Sequence, residues 1–271
     1  MKLFDSHCHL NDKSYARDMD QVIQRAREAS VRAMMIVGIT EPTCAQALDI
    51  AQAYSGCYAS IGIHPHDAAS CDETMLVRLA KQAEHPLVRA WGETGLDFNR
   101  MYSPQADQEK WFVRQMETAT ALNLPLIFHE RDSGGRFLEI LETHFADTGV
   151  SGVVHCFSGN EKELDAYLKL GLCIGITGIV TFQSRGRTLR KLVPRIPEDR
   201  ILVETDAPYL TPAPEKNKTR RNEPAFVRSV FMKVADVREK DPEELADNLW
   251  QNTCRLFQVD PDSQSIPGNK Q

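Results

Sequence analysis

Short apolar runs rich in β-branched residues recur along the chain, at residues 2–8, 33–39, 57–63, 87–92, 124–129, 152–156, 172–177 and 200–205. Between them the apolar positions change to a 3.6-residue period, as in Met19, Val22, Ile23 and Ala26, or Leu164, Tyr167, Leu168 and Gly171. The pattern predicts eight β/α units. An open doubly wound sheet would alternate in the same way, but a count of eight favours closure: an α/β fold, a single-domain (β/α)8 barrel of the TIM type over residues 1–260. Residues 223–238 and 242–257 predict two further helices that complete the outer ring. Ser103 before Pro104 reads as an N-cap and first helical position, and Asp241, Pro242 and Glu244 as a capping box. Residues 261–271 are polar, contain Pro261, Pro267 and Gly268, and predict a disordered C-terminal tail.

Composition narrows the partners. The 271 residues are close to the roughly 250 of one such barrel. Lys and Arg number 32 against 38 Asp and Glu, a net charge of −6, so no chain-wide positive field draws nucleic acid or anionic membrane. Any phosphate recognition must be local. No run approaches the ~18 apolar residues of a membrane span, and the apolar start is broken at Asp5, too early for a signal-peptide core. The seven cysteines are scattered without a CxxC pair, as expected of reduced thiols rather than of a disulfide framework or thiolate zinc site. These features predict a cytoplasmic protein with no membrane partner, and no obligate protein partner is indicated.

The chemistry is concentrated at strand ends. In Asp5-Ser6-His7-Cys8-His9 a period of two sends Asp5, His7 and His9 to one face, with Asp5 placed to fix an imidazole tautomer. A lone histidine is usually a satisfied core or surface residue, but an HxH pair is not lone. Glu93 ends the fourth predicted strand, His129 the fifth, His155 the sixth and Asp206 the eighth, and in a barrel these ends meet at one mouth. Such a donor set suits Zn, Mn, Fe or Co better than Mg. Four histidines and two carboxylates exceed the three protein ligands of a mononuclear catalytic site, so two divalent ions are expected, with Glu93 as the bridge between them. Gly92 and Gly95 allow close backbone approach there. His64, in Gly62-Ile63-His64-Pro65-His66, is expected to contact substrate rather than metal, His66 and Asp97 serve equally well as loop caps, and Glu204 lies one layer deeper than Asp206 as an acceptor.

Two basic clusters interrupt the acidic background: Arg185, Arg187, Arg190, Lys191 and Arg195 after the seventh strand, and Lys216, Lys218, Arg220 and Arg221 after the eighth. A charge run is usually a solvated face, the preferred reading for Lys191 and Arg195. Arg221, beside Asp206, is the better candidate for substrate. Phe157, Phe182 and Tyr209 could stack on unpaired bases, or pack in the ordinary way.

With these motifs the chain resembles the TatD family of metal-dependent deoxyribonucleases. The resemblance rests on DSHCHL at 5–10, GIHPH at 62–66, GETGLDF at 92–98, His129 with Arg131, HCFSG at 155–159, ETDAPYL at 204–210 and RNEP at 221–224, and runs from about residue 3 to 257. It implies a TIM-type barrel and a two-metal site carried by His7, His9, Glu93, His129, His155 and Asp206, with His64 and Arg131 facing substrate. The segment 130–135, with its Gly134-Gly135 pair, departs from the family pattern.

The expected activity is hydrolysis of DNA phosphodiester bonds through a water activated between two metals (Zn, Mn or Mg), with Asp206 and Glu93 as catalytic residues. A recessed mouth favours single-stranded or frayed ends, and a 3′ to 5′ direction is implied by the resemblance. The alternatives are an amidohydrolase or esterase using the same metals, including an aminoacyl-tRNA deacylase, and a non-catalytic metal-containing nucleic-acid-binding protein.

Overall fold

The computed structural model describes residues 1–145, 149 and 151–260, so the expected tail at 261–271 lies outside the described residues. Eight parallel strands form one sheet in chain order: β1 (Leu3–Cys8), β2 (Val31–Val37), β3 (Cys57–Ile61), β4 (Val88–Asp97), β5 (Leu126–Arg131), β6 (Gly152–Val154), β7 (Cys173–Ile176) and β8 (Ile201–Val203). The circle is completed where Cys8 bridges Ala207 in parallel and the Asp206 N–H donates to the His7 carbonyl at 2.9 Å. Helices α1 (Met19–Glu28), α2 (Glu41–Ala53), α3 (Glu73–Ala83), α4 (Gln105–Ala121), α5 (Arg136–Phe145), α6 (Glu161–Lys169), α7 (Arg187–Leu192) and α8 (Val227–Arg238) follow the strands in turn, and α9 (Pro242–Phe257) comes last. The expected (β/α)8 barrel is the fold.

Strand alternation sorts the core into two layers. Phe4, Ala33, Met35, Tyr58, Ala90, Ile127, Val153, Cys173 and Leu202 fill the barrel, while their neighbours Met34, Ala59, Trp91, Phe128, Val154, Ile174 and Val203 face the helices. Here α9 departs from the expected outer ring. Its Leu245 and Leu249 join the outer layer, but Trp250, Leu256 and Phe257 close the barrel interior from below. Phe4 meets Tyr58, Trp250 and Phe257 at centroid separations of 6.0–6.1 Å, contacts worth about 0.5–1.5 kcal/mol each beyond area burial. With the bottom filled by apolar side chains, only the opposite end of the barrel is left for polar chemistry.

Local signals explain the helix starts. The Asp241 carboxylate caps α9 by accepting from the Glu243 and Glu244 N–H groups, and Asn160 with Glu163 forms a reciprocal capping box on α6. Ser103 does not cap α4, which begins after Pro104. Its hydroxyl instead donates to the His66 carbonyl and accepts from Ala69 N–H, tying the loop after β4 to the loop after β3. The fourth strand also runs five residues past its expected end at Gly92, which places Glu93 within β4 rather than at its tip.

Candidate metal centre and active site

The inward row of each strand continues upward into polar chemistry. Two residues above Ile127 stands His129, two above Val153 stands His155, and above Leu202 stand Glu204 and then Asp206. Asp206 sits at φ 57°, in the left-handed region that an aspartate tolerates better than most residues. On β1 the ladder is irregular between Asp5 and Cys8. Simple alternation therefore fails for Asp5, whose carboxylate accepts from the N–H and hydroxyl of Thr205 at 2.8 and 2.6 Å and holds no imidazole. His7 and His9 still converge, with their Nε2 atoms 3.2 Å apart. Gly92 and Gly95 allow β4 to crowd β5: a Cβ on Gly95 would lie 1.9 Å from the His129 carbonyl, at φ +148°.

The donors form two neighbouring groups. In the first, His7 Nε2 lies 3.4 Å from Glu93 Oε2 and 3.8 Å from Asp206 Oδ1, and His9 Nε2 lies 3.4 Å from Asp206 Oδ1. In the second, His129 Nδ1 lies 2.7 Å from Glu93 Oε1 and 3.2 Å from His64 Nε2. His155 Nε2 stands 3.7 Å from Glu93 Oε1 and 3.8 Å from Asp206 Oδ1. Bonds of ~2.0–2.1 Å at tetrahedral angles put ligand atoms roughly 3.3–3.5 Å apart, so the first group has the spacing of donors around a small cation. The residues present fit metal ions. Glu93, with one oxygen toward each group, is the only one of the six predicted ligands that reaches both through its own carboxylate.

Surrounding groups orient the rings. His9 Nδ1 lies 3.2 Å from the Val37 carbonyl, which turns its Nε2 toward the centre. Glu204 Oε1 is 2.8 Å from His155 Nδ1 and also accepts from Cys156 N–H, so its expected place one layer down is a supporting one. Asp97 bridges His129 Nε2 at 3.2 Å and His66 Nε2 at 2.8 Å while Asn99 and Arg100 N–H groups donate to its other oxygen. It is thus both a loop cap and a histidine anchor.

Charge follows from this packing. Burial disfavours an ionised Glu93, yet His64, His155 and His7 around it hold its carboxyl well below the usual range. Burial also works against charge on Asp206, and the His9 contact together with His155 and His7 outweighs it, lowering the carboxyl. Burial opposes a proton on His155 and His129, but Glu204 and Glu93 raise the first to about 10, and Asp97 and Glu93 raise the second to about 9. Burial beside His129 takes His64 down to about 4. Without bound cations the cluster keeps protons to balance its carboxylates, the charge that metal ions would supply instead.

A cavity of about 450 Å³ opens above the donors, lined by His9, His64, Glu93, His129, His155 and Asp206 within and by Arg100, Arg131 and Arg185 farther out. His7 is completely buried beneath it. His64, expected on the substrate side, lines the cavity and also lies within the second donor group. One expectation changes. Arg221 does not line the cavity: its guanidinium donates to the Asp18 carboxylate and the Ser14 carbonyl and stacks over Tyr15, so it closes the loop after β8 against α1. Sequence reasoning passed over Gln108 and Gln115. Gln115 accepts from Ile63 N–H and donates to the Ile63 carbonyl, bracing the turn that presents His64, and Gln108 does the same for Asp97. The signal was present, since both occupy the apolar stripe of α4 with Trp111, Phe112, Met116 and Ala119.

A (β/α)8 barrel with histidines and carboxylates gathered at its C-terminal mouth has the architecture of a barrel enzyme, with its polar cluster at the face where such enzymes build their sites. Residues 4–258 match the family model described as TatD related DNase, and the chain belongs to that family. It is 42% identical over 260 residues to the 3′-5′ ssDNA/RNA exonuclease TatD of Yersinia pseudotuberculosis serotype O:3, covering 95% of this chain and all of that protein. The protein of the same name from Klebsiella pneumoniae is 40% identical, with 95% and 98% covered. Among solved structures, YJJV, a TatD homologue from Escherichia coli K12, superposes with a TM-score of 0.87 at 29% identity, covering 95% of this chain and 98% of that one.

Proposed function

We propose that this protein is a metal-dependent exonuclease that removes nucleotides from the 3′ end of single-stranded or frayed DNA. The observation that carries the reading is the convergence of His7, His9, Glu93, His129, His155 and Asp206 under a cavity rimmed by three arginines. The curated relatives named as 3′-5′ ssDNA/RNA exonucleases, aligned over nearly the whole chain, support the polarity and extend the substrate to RNA. Two divalent ions, Zn, Mn or Mg, are the expected cofactors, and they would lower the pKa of a water and neutralise charge on the phosphoryl oxygens.

The chain's own residues do the rest. His7, His9 and Asp206 would hold one ion and His129 and His64 the other, with Glu93 within reach of both and His155 beside Glu93 and Asp206. Asp206, ionised at neutral pH, is placed to accept the proton of the attacking water. Arg131, exposed at the end of β5, is placed to steady the phosphate from outside. The buried thiols of Cys8, Cys44, Cys57, Cys71 and Cys173, none in a disulfide, suit the reducing cytoplasm, where the protein would act. Among the described residues no helix is long and apolar enough to cross a membrane.

The test is digestion of 5′-labelled and 3′-labelled single strands by protein loaded separately with Mg, Mn or Zn. A progressive ladder from the 5′-labelled strand, absent with Asp206→Ala, is the expected result. Glu93→Ala should retain the barrel by circular dichroism and lose bound metal and activity together. Full activity in a folded Glu93→Ala variant would remove it as the bridge, and failure to cleave with every metal would transfer the site to ester or amide substrates.

A further inference from the structure

The mouth of the barrel is electrically lopsided. The segments 177–190 and 207–222, which follow β7 and β8, carry seven cations and one acid, Glu215. The segments 38–43 and 62–77, which follow β2 and β3, carry Glu41, Asp67, Asp72 and Glu73 and no lysine or arginine. In a chain of net charge −6 this segregation is the opposite of an evenly solvated surface.

Two of the seven cations are occupied. Arg190 donates to the carbonyls of Val180, Phe182 and Gln183 and shapes the loop after β7, and Arg221 is held by Asp18. Glu215 is turned inward, accepting from the Ser229 hydroxyl at 2.6 Å. Arg185, Arg187, Lys216, Lys218 and Arg220 are exposed, and among the described residues none of the five makes an ion pair. The two loops form one surface. Ala213 N–H donates to the Thr181 hydroxyl at 3.0 Å, and Lys216 Nζ lies 4.6 Å from the centre of the Phe182 ring. Arg185 joins that surface to the metal-donor cavity, which it lines, as does Tyr209, 55% exposed and steeply inclined to the His9 ring at a centroid separation of 6.0 Å.

We infer that the loops after β7 and β8 form a docking surface for the sugar-phosphate backbone of a single strand whose 3′ end occupies the cavity. Five cations without acid partners match a polyanion, and the aromatic face of Tyr209 matches an unpaired base. The continuity with the cavity through Arg185 selects a strand threaded into the site over a separate acidic protein. The inference rests on the nuclease reading and adds to it the path by which the strand leaves. On the β2 and β3 side Glu41 is paired with Arg78 and Glu73 with Arg114, so the acid that borders the cavity there and disfavours a phosphate is Asp67. The surface makes the enzyme sensitive to substrate length.

The experiment compares the parent protein with a triple variant, Arg187→Gln, Lys218→Gln and Arg220→Gln, and with a control, Arg27→Gln, Lys81→Gln and Lys169→Gln. The control removes the same charge at the last turns of α1, α3 and α6, away from the mouth. Kinetics are measured on a thymidine 20-mer and on a trinucleotide, and binding of a 5′-fluorescein 20-mer is followed by anisotropy in EDTA. Each phosphate paired with a cation releases about 0.7 counterions from a single strand, so neutralising three cations should lower the salt exponent of 20-mer binding by about 2. KM for the 20-mer should rise about tenfold, with its kcat, the trinucleotide kinetics and the control unchanged. An unaltered salt exponent and 20-mer KM would overturn the inference, as would equal loss on both substrates or an equal effect in the control. If the parent cleaves neither substrate, the nuclease reading fails, and the anisotropy titration in EDTA still decides whether this surface binds a single strand.

Discussion

Replacing Asn222 with alanine should destabilise the barrel at the point where Asp206 is presented. Asn222 is completely buried. Its amide donates to the Thr205 carbonyl at 2.8 Å and the Tyr209 carbonyl at 2.6 Å, and its Oδ1 accepts from the Glu223 N–H at 2.9 Å. The side chain thus closes the long loop after β8 onto the strand end that carries the aspartate. Truncation leaves three backbone groups without these partners. Tyr209 is half exposed, so its carbonyl can turn to water, whereas Thr205 and Glu223 are buried. Two stranded buried groups at about 1–3 kcal/mol each, with roughly 1 kcal/mol for the third bond, give a loss of about 3–7 kcal/mol. At ~2–4 °C per kcal/mol for a chain of this size, melting should fall by about 6 °C or more. Urea titration of the EDTA-treated protein measures this without a metal contribution. A loss under about 1 kcal/mol would refute the view that Asn222 holds the loop, as would a larger loss accompanied by undiminished metal retention and activity.

Other outcomes follow from the same geometry. Gln115→Ala strands the Ile63 N–H and carbonyl and the Trp91 indole N–H; about 2–4 kcal/mol should be lost, with weaker metal retention by dialysis because His64 follows Ile63. Gly95→Ala drives a Cβ into the His129 carbonyl and should cost more than about 4 kcal/mol, read as loss of soluble protein, whereas Gly134→Ala, with nothing within 4 Å of the new Cβ, should remain soluble. In metal-free protein His129 and His155 are raised above 6.5 to about 9 and about 10, so their stabilisation is complete below pH 6.5 and is lost as pH rises through those values. His64, lowered to about 4, instead removes stability as pH falls from 6.5 toward 4. The EDTA-treated protein should therefore melt lower at about pH 9.5 than at about pH 7, while affinity for metal rises over the same interval because coordination needs neutral rings; parallel trends would contradict the assigned ligands.

Local order along the chain determined much of this protein. Eight β-branched runs separated by helical periods are enough to specify alternating strands and helices, because side-chain period is set by backbone geometry alone. The HxH pair and the polar residues at strand ends were legible for the same reason: closing eight parallel strands brings their C-terminal ends to one mouth whatever the loops do. Other features depended on contacts between distant segments. Asp5 turned from the imidazoles to Thr205 because the β1 ladder is irregular, and strand alternation cannot register a bulge in advance. Arg221 reads as a free cation beside Asp206 until the start of α1 brings up Asp18, 203 residues earlier in the chain. The glutamines of α4 acquire their role only when packed beneath Ile63 and Asp97. Residue type and spacing set which groups a strand offers to its inner face; the partner each group finds is decided by tertiary packing, since a buried charge or amide takes the nearest satisfying contact, wherever in the chain it arises.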